Sequence, residues 1–170
     1  MDKKEIYSYF ENKNISYEVV EHKAVFNMKD LEDVELPYPE CDAKNLFVRD
    51  DKKRNYYLIT VKGDKRVDLK AFRRQNGLRA LSFASEEELS NIMGLIPGAV
   101  TPLGILNDNE NKVHFYLDKE FAGKKIAVHP NDNTATIYMQ ADDLIRLIKE
   151  HGNEVELTGV EVQAENEGVS

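Results

Sequence analysis

The sequence predicts a single mixed α/β (α+β) domain built on a curved, mostly antiparallel sheet of about seven strands with helices around it, on three observations. Short β-branched and aromatic runs recur along the chain, several of them joined by tight polar turns. Between them fall four or five segments whose apolar residues repeat every three or four positions. No internal repeat or low-complexity linker interrupts them, so residues 1–162 read as one domain and 163–170, "QAENEGVS", as a flexible polar tail.

Taken in order, Ile6, Tyr9, Phe10 and Lys13 recur at helical spacing and place a helix over 2–13, and "YEVVEH" then alternates into a strand. Asn27 can cap a short helix, "MKDLEDVE", which must stop before "LPYPE" because the residue preceding a proline is pushed out of helical space. "KNLFVRD" and "NYYLITVKG" flank the polar turn "DKKR" as a hairpin. "VDLKAFRRQNG" reads as a helix that buries Leu69 and Phe72 and ends at a left-handed Gly77. After the strand "ALSFA", Ser85 and Glu88 form a capping box for "EEELSNIM", which Gly94 ends. Strands are expected at "LGIL", "VHFYLD", "KIAVH" and "TATIYMQ". The helix "ADDLIRLIKEHG" follows, with acids in its first turn and Lys149 and His151 in its last, and then a strand within "VELTGVEV".

Composition removes several classes of function. At 170 residues the chain can bury a full core without staples, and its single Cys41 cannot form an internal disulfide, which suits a reducing compartment. No apolar run approaches the length of a membrane span, and "MDKKEIYSYF" lacks the apolar core of a signal peptide, so a cytoplasmic location and no membrane partner are expected. There is no phosphate loop, dinucleotide fingerprint or nucleophile elbow. His22, His114, His129 and His151 lack paired ligand spacing, so neither a metal nor a cofactor is expected. Asp142 and Asp143 sit side by side at a helix start, where they answer the helix dipole better than they would serve as an acid and base.

Charge is unevenly spread. Lys44 to Arg79 holds twelve Lys or Arg against four Asp, while the remainder holds 11 basic and 27 acidic residues, within a net charge of −8. Such a block is either a solvated face paired to the acidic remainder or a phosphate-binding surface on an acidic body.

The stretch "GLIPGAVTPLGILND", Gly94 to Asp108, combines turn residues with an apolar, uncharged character unusual for a surface loop. In "GAVTP", Gly98 to Pro102, glycine permits a backbone that presents consecutive N–H groups, as an oxyanion hole does. By itself the same pattern also suits a plain strand-entry turn.

The blocks "CDAKNLFVRD", "YYLITVKGDKRVDLKAFRRQNG", "LSFASEEEL", "GLIPGAVTPLGILND" and "IAVHPNDNTATI" together resemble the YbaK/ProX family of aminoacyl-tRNA editing domains. The similarity is greatest to its free-standing Ala-tRNA(Pro) deacylases of the ProXp-ala or PrdX type, and it runs from about residue 5 to 157. It implies a metal-free hydrolase that cleaves the ester between a wrong amino acid and the terminal adenosine of tRNA(Pro). The family's essential lysine falls on Lys44 and its neighbour on Asn45, its Gly-x-x-x-Pro loop on Gly98, Ala99, Val100, Thr101 and Pro102, and its His-Pro and Asn-Thr pairs on His129 and Asn133 with Thr134.

On that resemblance the loop amides stabilise the oxyanion, Lys44 meets the terminal phosphate or ribose, and Asn45 or His129 orders water. Phe47, Ile59 and Leu95 are candidate walls of a pocket that admits alanine's methyl and excludes proline's ring. Lys52, Lys53 and Arg54 at the hairpin tip, with Arg73, Arg74 and Arg79 beyond, are expected to guide the acceptor stem, and transient contact with prolyl-tRNA synthetase is also implied. DNA is not an expected partner. On its own, Lys44 is also a solvated strand end and His129 a turn residue, while Cys41 has no motif partner to activate it as a nucleophile. A Cys- or Ser-tRNA deacylase, or a silent tRNA-binding regulator, uses the same residues.

Overall fold

Asp2 accepts the Glu5 amide at 2.8 Å while the Glu5 carboxylate takes the Asp2 N–H at 3.1 Å, a reciprocal cap that starts α1, Lys3–Asn12. The computed structural model describes residues 1–24, 36–63 and 65–162. The helix expected over 28–35 behind Asn27, and the tail 163–170, lie outside them. Among the described residues no helix is long and apolar enough to cross a membrane.

β1 (Tyr17–Glu21) is followed by the hairpin of β2 (Ala43–Asp50) and β3 (Tyr56–Lys62). The Asp50 carboxylate holds that hairpin's turn, accepting the Arg54 amide at 3.0 Å and Asn55 Nδ2 at 2.8 Å. α2 (Leu69–Asn76) is capped by Asp68 and stopped by Gly77 at φ 66°; β4 (Leu81–Phe83) leads to α3 (Glu86–Met93), stopped by Gly94 at φ 65°. β5 (Val113–Asp118), β6 (Lys125–Val128), β7 (Ala135–Gln140), α4 (Ala141–His151) and β8 (Val155–Thr158) complete the order.

The mixed class is as expected, but the eight strands among the described residues divide into two sheets. One runs β1-β7-β6, antiparallel throughout; the other runs β4-β2-β3-β5-β8, antiparallel up to β3 and parallel across β3–β5 and β5–β8. Parallel neighbours need long crossovers, here the passage through α2, β4 and α3 and then the passage through β6, β7 and α4.

"LGIL" is not a strand. Pro102–Asn107 forms a 3₁₀ turn in which residues 102–106 are all buried. Proline, which lacks an N–H, takes its first position, and Gly104 N–H and Asp108 N–H bond to the Thr101 and Ile105 carbonyls at 3.1 and 2.9 Å. A Cβ on Gly104 would lie 2.5 Å from Leu95 Cδ1, so only glycine lets this turn pack so closely. From Ala99 to Leu106 the stretch is apolar because it plugs the core, whereas Ile96, Pro97 and Gly98 just before it are exposed.

Two apolar clusters lie on opposite faces of the five-stranded sheet. Phe47, Leu58 and Phe115 face the three-stranded sheet, α1 and α4, whereas Leu46, Val48 and Ile59 face α2 through Phe72. The period-two alternation of β2 thus feeds both cores.

Glu88 links α3 to the sheet. Besides closing the Ser85 capping box, it accepts Tyr56 Oη–H at 2.6 Å and Arg49 Nε–H at 3.2 Å. Burial alone would raise its pKa, but the bonds from Ser85, Tyr56 and Arg49 outweigh that and hold it at about 2. A carboxylate depressed on folding contributes stability that is present above the ordinary glutamate pKa and lost as pH falls toward about 2. Glu88→Gln is therefore expected to lower the urea midpoint at pH 7, with the gap to the parent protein closing between about pH 5 and 2. A gap independent of pH would contradict this.

Candidate functional site

Strand β2 separates neighbours in the sequence. Asn45 stands opposite Thr60 in the hairpin register and accepts its hydroxyl at 2.6 Å, while Lys44 stands opposite Val61 on the face toward α2. Asn45 Nδ2 donates to the Val100 carbonyl at 3.2 Å, fixing the Gly98–Pro102 loop to the sheet. Thr101, fully buried, donates its hydroxyl to the His129 carbonyl at 2.8 Å and accepts the His129 amide at 3.2 Å. One bonded path thus joins Thr60, Asn45, Val100, Thr101 and His129.

A small cavity opens beside this path, where the start of β2 meets the end of β6 and the start of β7. Asp42, Ala43 and Asn45 line it on one side, Ala127, His129 and Thr136 on the other, with Leu36 at its wall. His129 Nδ1 lies 3.0 Å from the Ala135 carbonyl, which can only accept, so Nδ1 carries the proton and Nε2 is the ring's acceptor. Burial depresses the His129 pKa, outweighing the Ala135 bond, and keeps the imidazole neutral at physiological pH. Burial, with help from Glu40, raises Asp42. On the same wall, Thr136 Oγ1 contacts His22 Nε2 at 2.9 Å, and His22 Nδ1 faces the Lys23 carbonyl at 2.7 Å. The arrangement offers a neutral imidazole nitrogen, an amide and hydroxyls around a space fit for a small polar group.

The loop's four amides are not equivalent. Gly98, at φ 85°, is exposed; Ala99 is buried and its N–H already bonds the Ile96 carbonyl at 3.1 Å, which removes it as a donor. Val100 is half-buried. Pro102 is buried in the plug.

Several expected residues are placed elsewhere. Lys44 lines a separate, open groove with Leu46, Arg66, Lys70, Leu81 and Phe83, on the opposite face of β2 from Asn45. Phe47 stacks on Tyr56 with ring centres 5.8 Å apart, Leu95 packs under Gly104, and Ile59 belongs to the α2-side cluster. These three are core residues and none lines the cavity, because large apolar side chains on central elements fill the interior first. Asn133 lies between β6 and β7 with its Nδ2 shielded and without an acceptor.

Among the basic residues, Lys52, Lys53 and Arg54 are exposed at the hairpin tip, with Lys53 at φ 54°. Arg79 forms a forked pair with Asp51 at 2.6 and 3.1 Å, joining that tip to the segment after α2. Arg74 is exposed, but Arg73 is half-buried, with its Nε shielded and without an acceptor.

Sequence reasoning missed Asp42, Ala43, Ala127, Thr136 and His22 at the cavity. Strand alternation could have supplied Ala43, which shares the Asn45 face, and Ala127, which precedes His129 by two.

A two-sheet α+β scaffold with a loop hydrogen-bonded across a strand end to a neutral histidine places the protein in a definite class: the chain belongs to the aminoacyl-tRNA editing domain family, whose model matches residues 22–147. It is 39% identical over 140 residues to the prolyl-tRNA editing protein ProX of Acetoanaerobium sticklandii, covering 82% of this chain and 85% of that one. It is 32% identical over 149 residues to the prolyl-tRNA synthetase associated domain-containing protein 1 of Mus musculus, again covering 82% and 85%. A solved structure proposed to be a trans-editing enzyme for prolyl tRNA synthetase superposes with a TM-score of 0.70 at 22% identity, covering 95% of this chain and 97% of that one, which supports the fold.

Proposed function

We propose that this chain hydrolyses the ester of mischarged tRNA(Pro), with alanine as the amino acid removed, acting in trans in the cytoplasm and without a metal. The observation that carries the reading is the path Thr60–Asn45–Val100–Thr101–His129 beside a small cavity, in a family whose relatives include a prolyl-tRNA editing protein. Water attacks the ester carbonyl carbon, the bond to the ribose oxygen breaks, and that oxygen takes up a proton, leaving alanine and free tRNA. An aminoacyl ester is already activated, so positioning and oxyanion stabilisation supply most of what is needed. His129 Nε2 orders the water, and Asn45 holds the loop from which the half-buried Val100 amide is offered to the developing charge.

Lys44 acts from the other face of β2. β4 pairs only with Val48–Asp50, so no described strand covers the start of β2 on that side. A terminal nucleotide lying across this open edge meets Lys44 with its phosphate while its ester reaches the Asn45 side. Ala43 and Ala127 make a confined wall that suits a methyl group and excludes a pyrrolidine ring. The exposed hairpin tip and Arg74 supply the cations that guide the acceptor stem in this reading, and a transient meeting with prolyl-tRNA synthetase would deliver the substrate.

The test is ester loss from tRNA(Pro) charged with Ala, Cys, Ser or Pro, with Lys44→Ala as comparison. Selective loss of alanine, reduced at least about tenfold by the substitution, is expected, since a charge-assisted contact is worth about 1.5–3 kcal/mol. Loss of cysteine or serine instead would move the chain to a sister specificity, and tRNA binding without turnover would make it a silent module.

A further inference from the structure

The register Val48↔Phe83 between β2 and β4 puts Phe83 on the same face as Lys44, Leu46 and Val48, the face that α2 covers only in part. Its ring is 60% exposed, more than any other large hydrophobic side chain among the described residues. Beside it the open groove has an apolar floor from Leu46 and Leu81 and carries three cations, Lys44, Arg66 and Lys70. None of the three forms an ion pair among the described residues. Among the described residues the single acid at the groove is Asp68, and its carboxylate is engaged in accepting the Ala71 amide at 3.0 Å as the cap of α2.

An exposed flat ring beside uncompensated positive charge, on a protein whose net charge is −8, asks for a ligand with both a π face and anionic groups. A single-stranded nucleic acid has both, repeated along its length. Paired RNA does not suit, because its bases are stacked on each other and inaccessible. Lys44 lies at this groove and its sequence neighbour Asn45 at the cavity, so the groove and the site at which the ester is placed above sit on opposite faces of the start of one strand.

We propose that this groove binds the unpaired 3′ nucleotides of tRNA, with a base stacked on Phe83 and phosphates held by Arg66 and Lys70. The assignment rests on the tRNA reading of the neighbouring cavity and extends it to residues with no part in the chemistry. Phe83 belongs to neither apolar cluster, so its replacement empties no core space and leaves the fold intact.

Two measurements separate the groove from the reaction. The first is fluorescence anisotropy with a short single-stranded RNA ending in CCA; the second is single-turnover hydrolysis of Ala-tRNA(Pro) over a range of enzyme concentrations. Phe83→Ala is expected to weaken RNA binding by about tenfold, within the range measured for removal of one base–aromatic stack, and Phe83→Trp to retain it. The same Phe83→Ala change should raise the half-saturating concentration in the hydrolysis assay and leave the maximal rate unchanged. Replacing both Arg66 and Lys70 with alanine should flatten the salt dependence of binding, its logarithmic slope falling by roughly 0.7 for each phosphate no longer neutralised.

If the parent protein hydrolyses Ala-tRNA(Pro) and Phe83→Ala matches it within twofold in both assays, the groove assignment falls and the deacylase reading stands. If the parent binds the RNA in a Phe83-dependent way but cleaves no ester, the groove stands and the deacylase reading falls. A fall in maximal rate with unchanged RNA binding would also overturn the groove, because Phe83 would then act on the chemistry.

Discussion

Asn45→Asp is expected to lower single-turnover hydrolysis of Ala-tRNA(Pro) by about 10² to 10³, although it changes the side chain by one atom. Asn45 uses both ends of its amide: Oδ1 accepts from Thr60 at 2.6 Å and Nδ2 donates to the Val100 carbonyl at 3.2 Å. An aspartate keeps the first bond and turns the second into two acceptors facing each other, which drives the loop away from β2. Because Thr101 on that loop also fixes the His129 main chain, a displacement of Val100 reaches the imidazole. Small misplacements of donors at a reaction centre are costly, since stabilisation of a developing oxyanion depends on donors already aligned. Asn45→Ala removes the loop bond without adding repulsion and leaves the buried Thr60 hydroxyl without its acceptor, so it should be the milder change for rate and the harsher one for stability. Rates for Asn45→Asp within threefold of the parent would show that the loop does not need this tether.

Local features were legible and long-range ones were not. Helix ends were readable because the residues that make them are adjacent in sequence: Ser85 with Glu88, and the left-handed Gly77 and Gly94 at φ 66° and 65°. The β2–β3 hairpin followed from its polar turn in the same way. The division into two sheets depends on β5 joining β3 and β8 joining β5, both in parallel, and nothing within either strand encodes its distant neighbour. "LGIL" misled because four apolar residues fit a buried strand and a buried turn equally, and the deciding fact is the approach of Leu95 to Gly104.

At the candidate site, the adjacent pair Lys44–Asn45 hides that successive strand residues face opposite sides. A motif that keeps two neighbours together says nothing of a shared pocket. His22 and Thr136 escaped notice for a different reason. Each is an unremarkable polar residue until the pairing of β1 with β7, which continues as His22 N–H to the Thr134 carbonyl at 2.9 Å, brings them together.

The largest loss of stability is expected from Asp108→Ala, at the end of the buried plug. Asp108 is 3% exposed, and its Oδ2 accepts the Val113 amide at 2.8 Å and Asn153 Nδ2 at 2.9 Å. Asn153, 4% exposed, also donates to the Val113 carbonyl at 2.8 Å and meets His151 Nδ1 through its Oδ1 at 2.7 Å. The carboxylate therefore ties the plug to the first residue of β5 and to the end of α4. Replacing a buried charge can be harmless when its partners are replaced as well, but here the Val113 amide and one of the two N–H bonds of Asn153 Nδ2, whose other stays on the Val113 carbonyl, lose their acceptor in the interior. Each such orphan costs about 1–3 kcal/mol, so a loss of roughly 3 kcal/mol is expected, or about 6–12 °C in Tm for a domain of this size. Asp108→Asn should lose much less, because its amide oxygen can take the place of Oδ2 and accept from both donors. The ranking, read by thermal denaturation of the three proteins in one buffer, is the decisive result. If Asp108→Ala melts within 2 °C of the parent, water or a shifted neighbour satisfies those donors, and the network contributes packing rather than hydrogen bonding.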